Sequence, residues 1–263
     1  MIAGMETTLS PRPLAIIKVG ETFDDLRARR GDFEHWIAAG LGDTRLPVVV
    51  LDPRRGDTLP DADEISGAIV TGSHAMVSHR EPWSESTGRW LARTVARGTP
   101  VLGICFGHQL LADALGGEAG DHPAGMEIGT VQIELRPEAA GDPLTGTLPP
   151  RFDAHVLHRQ SALRLPAGAV RLAGNDFEPT QAFRVGSNAW GLQFHPEFDD
   201  DIMRGYVDHL AQPLRTEGAD PAVLRAGVKP TATAASLLRR FARIAEARDA
   251  AMSPAASETA PPG

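Results

Sequence analysis

The chain has 263 residues, of which 42% are hydrophobic and 23% are charged, and its net charge is −8. A single cysteine excludes an internal disulfide framework and a multi-thiolate zinc site, and it is typical of a reducing compartment. Because an acidic chain repels phosphate and no apolar run approaches membrane-spanning length, we expect a cytoplasmic protein that binds neither nucleic acid nor membrane.

The first half of the chain alternates short apolar runs with helical patterns. We expect a flexible leader over residues 1–13, followed by strands at residues 14–19, 46–51, 65–71 and 100–104. Helical periodicity covers residues 32–40, 83–97 and 108–115. Because strands that alternate with helices are typical of parallel sheets covered on both faces, this pattern predicts an α/β fold with a mainly parallel central sheet.

After Gly116 and Gly117 the pattern changes to short strands joined by Gly, Pro and Asn turns. These strands are expected at residues 128–135, 169–173, 180–185 and 189–194. We interpret them as antiparallel additions along an edge of the sheet. Further helices are expected at residues 199–210 and 234–251. The domain therefore covers residues 14–212, with a C-terminal helical extension over 213–252 and a disordered tail over 253–263, which is rich in Pro, Ala and Ser.

Cys105 lies in the segment Gly103-Ile104-Cys105-Phe106-Gly107, between an apolar strand and a predicted helix. This is the G-x-nucleophile-x-G pattern of a nucleophile elbow, whose glycines allow a strained turn to pack against its neighbours. The helix directs its N-terminus at the sulfur, and the partial positive charge there favours the thiolate. The alternative is a buried structural cysteine, which is the usual fate of a lone cysteine.

A cysteine nucleophile needs a base and a group that orients the base. His195 follows a strand-like run, and Glu197 comes two residues later. Pro196 between them favours extended geometry, so both side chains point the same way. The spacing predicts that Glu197 accepts a hydrogen bond from one ring nitrogen of His195, while the other nitrogen faces Cys105.

Together these two motifs resemble those of the triad, or class I, glutamine amidotransferases. The likeness rests on GICFGHQLL at residues 103–111 and QFHPE at residues 193–197, and it covers roughly residues 14–210. It is strongest to the glutaminase domain of GMP synthase and its stand-alone relatives, which include γ-glutamyl peptidases. The resemblance implies a flavodoxin-like three-layer sandwich and a class I glutamine amidotransferase-like domain over residues 14–212.

The resemblance also implies roles for individual residues. Cys105 is then the nucleophile, His195 the general base and acid, and Glu197 the orienting group. The backbone N–H groups of Phe106 and Gly72 would form the oxyanion hole. The residues implied to bind substrate are Gln109, Ser73 and His158. Here the chain departs from the family, because residues 157–160 read Leu-His-Arg-Gln where these domains often carry a Ser-His pair before an acidic residue.

His155 and His158 form a His-x-x-His pair, a spacing that raises the question of a metal site. No matching third ligand lies nearby in the sequence, and ligand number and geometry decide metal binding. We therefore expect no metal and no cofactor.

Three functions are consistent with these residues. The first is a glutaminase that hydrolyses the γ-glutamyl amide bond through a cysteine thioester and passes ammonia to a separate acceptor or synthetase protein. The second is a stand-alone γ-glutamyl peptidase or hydrolase that acts on small metabolites. The third is a binding or regulatory module that has the fold but no turnover, since a fold alone does not fix function.

Overall fold

The apolar run that begins at Leu14 forms the first strand of a nine-stranded sheet in the computed structural model, which describes residues 10–252. Most of the predicted leader and the whole of the predicted tail lie outside the described residues. Arg12, near the start of the described residues, forms an ion pair with Asp249, since its Nη1 lies 2.9 Å from Oδ1 of that residue.

The central sheet has the strand order β2-β1-β3-β4-β11-β10-β9-β6-β7, and β5 pairs with β8 in a separate ribbon. Its strands are β1 (Leu14–Ile17), β2 (Val48–Leu51), β3 (Gly67–Val70), β4 (Val101–Ile104), β6 (Glu127–Leu135), β7 (Arg151–His158), β9 (Val170–Gly174), β10 (Ala182–Val185) and β11 (Ala189–Leu192). The ribbon consists of β5 (Glu118–Asp121) and β8 (Gln160–Arg164).

The strands from β2 to β11 are parallel to one another, whereas β10, β9, β6 and β7 continue the sheet in antiparallel pairs. The predicted α/β fold with a mainly parallel sheet is therefore confirmed. One detail was wrong: residues 189–194 were expected to be an antiparallel edge addition. Their strand β11 instead lies inside the sheet and pairs in parallel with β4, with Leu192 opposite Ile104.

Side chains that alternate along each strand bury against helices on both faces of the sheet. Leu14 and Ile16 point into one core cluster, and Ala15 and Ile17 point into the other. The helices are α1 (Asp24–Arg30), α2 (Phe33–Gly40), α3 (Pro82–Ala96), α4 (Phe106–Ala114), α5 (Asp200–His209), α6 (Ala211–Thr216), α7 (Pro221–Ala226) and α8 (Ala232–Met252). Side chains of α2 and α8 enter the first cluster, and those of α3 and α4 enter the second.

The residues assigned to the C-terminal extension form α6, α7 and α8. Helix α8 buries an apolar face in the first core cluster, where Leu237, Leu238 and Phe241 are fully enclosed. Its Arg248 donates hydrogen bonds to the Ile65 carbonyl at 2.7 Å and to Thr99 Oγ1 at 2.8 Å. Helix α8 therefore belongs to one outer layer of the sandwich, together with α2. No helix within residues 10–252 is long and apolar enough to cross a bilayer.

Candidate active site

The turn between β4 and α4 holds Cys105 in a strained backbone conformation. Its φ is 51° and its ψ is −101°, in a region that residues with a Cβ rarely adopt. A Cβ at Gly103 would overlap the backbone of Gly107, and a Cβ at Gly107 would lie 2.5 Å from the carbonyl oxygen of Val70 in β3. The strand, the turn and the helix can approach this closely only because both flanking positions are glycine.

Two backbone segments lie beside Cys105 and His195. Phe106 is the first residue of α4, and N–H groups in the first turn of a helix have no acceptor within it. The N–H of Cys105 itself donates to the Leu192 carbonyl at 2.8 Å and is therefore occupied. Gly72 follows β3 beside the imidazole of His195, since a Cβ built there would lie 3.1 Å from Cε1 of that ring. The expected role of the Phe106 and Gly72 N–H groups as oxyanion donors therefore remains a prediction.

His195 and Glu197 follow β11 and meet as the spacing predicts. His195 Nδ1 lies 2.7 Å from Glu197 Oε1, and both side chains are almost completely buried. The N–H of His195 donates to the His155 carbonyl at 2.8 Å, which fixes the backbone, and Phe198 stacks on the imidazole with ring centroids 4.0 Å apart. The Glu197 carboxylate and the Phe198 ring therefore hold the imidazole, and the bond to His155 holds its backbone.

The charges around His195 determine its protonation. Burial lowers the pKa of His195, but the negative charges of Glu197 and Cys105 outweigh this effect and raise the pKa to about 10. Its Nε2 is buried and, within the described residues, has no hydrogen-bond partner other than the Cys105 sulfur. An imidazolium whose Nε2 proton is not bound elsewhere can act as the acid for a leaving group at Cys105.

Cys105 opens onto a cavity of about 270 Å³. The sulfur lies 3.5 Å from the Leu157 carbonyl oxygen, at the end of β7. Most of the wall surface that faces the cavity is apolar, although half of the side chains that line it are polar. The lining residues are Phe23, Ser73, His74, Ala75, Met76, Gln109, Met126, Leu157, His158, Arg159, Gln160 and Leu210. A strained nucleophile, a charged acid and a cavity above them are the parts that amide cleavage by a cysteine requires.

Comparison with known proteins identifies the family of the chain. The model of "Glutamine amidotransferase class-I" matches residues 30–205. The chain belongs to the class I glutamine amidotransferases. Its sequence is 34% identical over 172 residues to a glutamine-hydrolysing GMP synthase from Aeropyrum pernix, covering 64% of this chain and 31% of the synthase. It is 30% identical over 202 residues to a γ-glutamyl-L-1-hydroxyisopropylamide hydrolase from a Pseudomonas species, covering 74% of this chain and 67% of that one.

A solved structure supports the same assignment. The glutamine amidotransferase of Methylobacillus flagellatus superimposes with a TM-score of 0.66 at 28% identity, covering 92% of this chain and 95% of that chain. The resemblance inferred from the two sequence motifs is therefore confirmed, and so is the flavodoxin-like fold class.

The three residues expected to bind substrate lie at the cavity of this amidotransferase-family chain, but they present different groups to it. Gln109 Nε2 donates to the Gln160 carbonyl at 2.7 Å, so this side chain links α4 to the first residue of β8. Ser73 is half-buried, and its Oγ accepts a hydrogen bond from Ala75 N at 3.1 Å. Both side chains therefore help to shape the wall of the cavity.

His158 points its imidazole away from the cavity. Its Nε2 lies 2.9 Å from Glu127 Oε2, its Nδ1 lies 3.1 Å from the Gln160 carbonyl oxygen, and the side chain is fully buried. Glu127 also accepts hydrogen bonds from Asn175 at 2.7 Å and Gln181 at 2.8 Å. A contribution of His158 to substrate binding would come from its backbone, because both ring nitrogens are engaged within the protein.

The His-x-x-His pair does not converge on one point. His155 Nδ1 lies 3.1 Å from Thr130 Oγ1, whereas His158 faces Glu127, and residues three apart in a strand point to opposite faces. Within residues 10–252, no three His, Cys, Asp or Glu side chains are arranged to hold a metal ion.

The sequence did not single out the apolar wall of the cavity. Phe23, Met126 and Leu210 come from the start of α1, the loop before β6 and the end of α5. None of them belongs to a motif, and only the folded chain brings them to one place.

Proposed function

We propose that this chain is a cysteine-dependent enzyme that hydrolyses γ-glutamyl amide bonds through a thioester. The observation that carries the proposal is the geometry of Cys105, His195 and Glu197. The strained elbow presents the sulfur, and the pair of buried side chains supplies a proton donor that stays charged near neutral pH. Membership of the family supports the same chemistry.

The steps follow from these parts. The Cys105 thiolate attacks the γ-carbonyl carbon, and the N–H groups of Phe106 and Gly72 stabilise the resulting oxyanion. The His195 imidazolium transfers its Nε2 proton to the departing nitrogen, so the carbon–nitrogen bond breaks and a thioester forms. Neutral His195 then takes a proton from water, which attacks the thioester and releases glutamate and the thiolate. Because a free thiol persists in a reducing compartment, we place this activity in the cytoplasm.

A glutamate-release assay on the full chain tests this proposal. Glutamine and a panel of γ-glutamyl amides serve as substrates, and both Cys105→Ala and His195→Gln are expected to abolish release. His79→Gln is a matched control, because His79 is an exposed histidine outside the cavity. If Cys105→Ala hydrolysed these amides normally, the proposal would be wrong. If the folded wild type released no glutamate from any of them, a silent binding module would be the better account.

The fate of the released nitrogen separates two forms of the activity. In the first, glutamine is the substrate and ammonia passes to a separate acceptor protein. In its support, the chain is 29% identical over 170 residues to one subunit of the glutamine-hydrolysing GMP synthase of Natronomonas pharaonis, and the match covers 83% of that subunit. In the second, the chain acts alone on γ-glutamyl amides, and the likeness to the Pseudomonas hydrolase and the apolar cavity wall favour it.

A further inference from the structure

We propose that the group released from the thioester-forming substrate is an apolar amine, so that the substrate is a γ-glutamyl amide of an alkyl or aryl amine. The hydrocarbon part of this amine would lie against Phe23, Met126 and Leu210. The inference rests on the proposed function, because the amine is the leaving group of that reaction.

The position of His195 fixes the side of the cavity that receives the amine. His195 must protonate the departing nitrogen, so the group attached to that nitrogen extends from the His195 side of Cys105. The ring centroid of Phe33 is 6.4 Å from that of His195 and 6.4 Å from that of His74. His74 in turn contacts Phe23, with centroids 4.5 Å apart. His74 and Phe23 therefore line the cavity on the side of the acid.

Another part of the cavity wall is polar. There the Gln109 Nε2 donates hydrogen bonds to the Gln160 backbone carbonyl at 2.7 Å and to Gln193 Oε1 at 3.2 Å. A glutamyl group carries an α-ammonium and an α-carboxylate, which need hydrogen-bonding partners when water is displaced. The amide and carbonyl groups on this side suit the glutamyl half, which leaves the apolar side for the amine.

The amine side exposes hydrocarbon that ammonia could not cover. Phe23 belongs to one hydrophobic cluster with Met126, Leu157 and Leu210, and each of these four residues is half-buried and lines the cavity. An alkyl or aryl group there would remove their apolar surface from water, which is the main source of affinity in such a contact.

The charged groups at the cavity are consistent with this assignment. Among the lining side chains of the described chain, only Arg159 carries a permanent charge. It forms an ion pair with Glu217 at the rim, so it is already neutralised. The apolar part of the wall therefore offers no unpaired charge to an amine with a charged substituent, and it suits an amine whose substituent is uncharged.

A series of substrates tests the inference on the full chain. The substrates are glutamine and γ-glutamyl methylamide, butylamide and 2-methoxyethylamide, the last of which matches butylamide in length but has an ether oxygen. We expect kcat/KM to rise about fourfold for each methylene between methylamide and butylamide. The value of kcat/KM should be lower for the 2-methoxyethylamide than for the butylamide, because the ether oxygen loses hydrogen bonds to water in an apolar wall. This order would hold even though 2-methoxyethylamine is less basic and is therefore the better leaving group.

The outcomes separate this inference from the function on which it rests. If glutamine and all the amides react at similar rates, or glutamine reacts fastest, the enzyme acts on γ-glutamyl amides but the apolar-amine inference is wrong. If no γ-glutamyl compound reacts, the proposed function itself fails and the inference fails with it.

A pair of variants then locates the contact. Met126→Gln keeps the side-chain length but adds a polar end in the cavity, and we expect the ratio of kcat/KM for butylamide to that for glutamine to fall about fivefold. Met252→Gln is the matched control, because Met252 is 37% exposed at the end of α8 and should leave the ratio unchanged. An unchanged ratio in Met126→Gln, with the same melting temperature as the wild type, would contradict the assignment of this wall.

Discussion

The chemistry of the site depends on the pairing of two buried side chains. His195 keeps its proton because Glu197, bonded to Nδ1 at 2.7 Å, and the thiolate of Cys105 together outweigh the cost of burial. A buried charge is stable only where such partners surround it. In the proposed reaction, the proton that the departing amine needs is therefore already on His195 when substrate binds.

This pairing predicts a shifted pH profile in Glu197→Gln. The wild type should lose kcat/KM at alkaline pH as His195 deprotonates near its pKa of about 10. Removing the carboxylate charge lowers that pKa, so the alkaline limb should move to lower pH, and the maximal rate should fall by up to about 10⁴-fold. The measurement is kcat/KM for a γ-glutamyl amide across the pH range.

Glu138→Gln provides the control for this profile, because Glu138 is an exposed carboxylate in the connection between β6 and β7. The pH profile of kcat/KM in this variant should match that of the wild type. An alkaline limb that stays at the wild-type pH in Glu197→Gln would show that Glu197 does not maintain the imidazolium.

At the scale of elements, the site depends on how closely α4 approaches β3 and β4. The elbow could be predicted from the sequence because two glycines around one cysteine are a local signal. The position of β11 could not, because its parallel pairing with β4 is a long-range contact that short-strand patterns do not encode. Strand β7 was not predicted either, since its apolar alternation is short and covers only Phe152, Ala154 and Val156.

Two helical glycines test the importance of this close approach. In Gly107→Ala the new Cβ would lie 2.5 Å from the Val70 carbonyl, so we expect a loss of about 1–3 kcal/mol in the free energy of unfolding. Gly88→Ala in α3 is the matched control. Its Cβ would meet Leu110 and Ala114 at ordinary distances of 3.4 and 3.5 Å, so it should gain about 0.5–1 kcal/mol. Denaturant unfolding measures the free energy of unfolding of both variants. Equal changes in the two would show that α4 and β3 do leave room for a Cβ at residue 107.

Across the whole molecule, the cavity and the core join segments that are distant in the sequence. The pairing of His195 with Glu197 could be predicted because its motif is local. The apolar wall could not, since Phe23, Met126 and Leu210 share no pattern and meet only through folding. The C-terminal helix α8 likewise completes a core that begins at β1, as the burial of Phe241 beside the sheet shows.

Helix α8 is therefore expected to contribute to the stability of the whole domain. Phe241→Ala should lower the free energy of unfolding by about 3–5 kcal/mol, because it removes a fully buried aromatic side chain. Arg243→Ala changes an exposed residue of the same helix and should stay within about 0.5 kcal/mol of the wild type. If chemical denaturation gave similar values for both variants, α8 would not be part of the cooperative core.

Activation of Cys105 by His195 for attack on a γ-glutamyl carbonyl can be measured with a glutamine analogue that has an electrophilic γ-carbon. The rate at which this analogue alkylates the protein is followed by intact mass. We expect one rapid adduct in the wild type, none in Cys105→Ala, slower formation in His195→Gln and protection by a γ-glutamyl amide. An adduct that forms in Cys105→Ala, or one that forms equally fast in His195→Gln, would show that His195 does not activate Cys105.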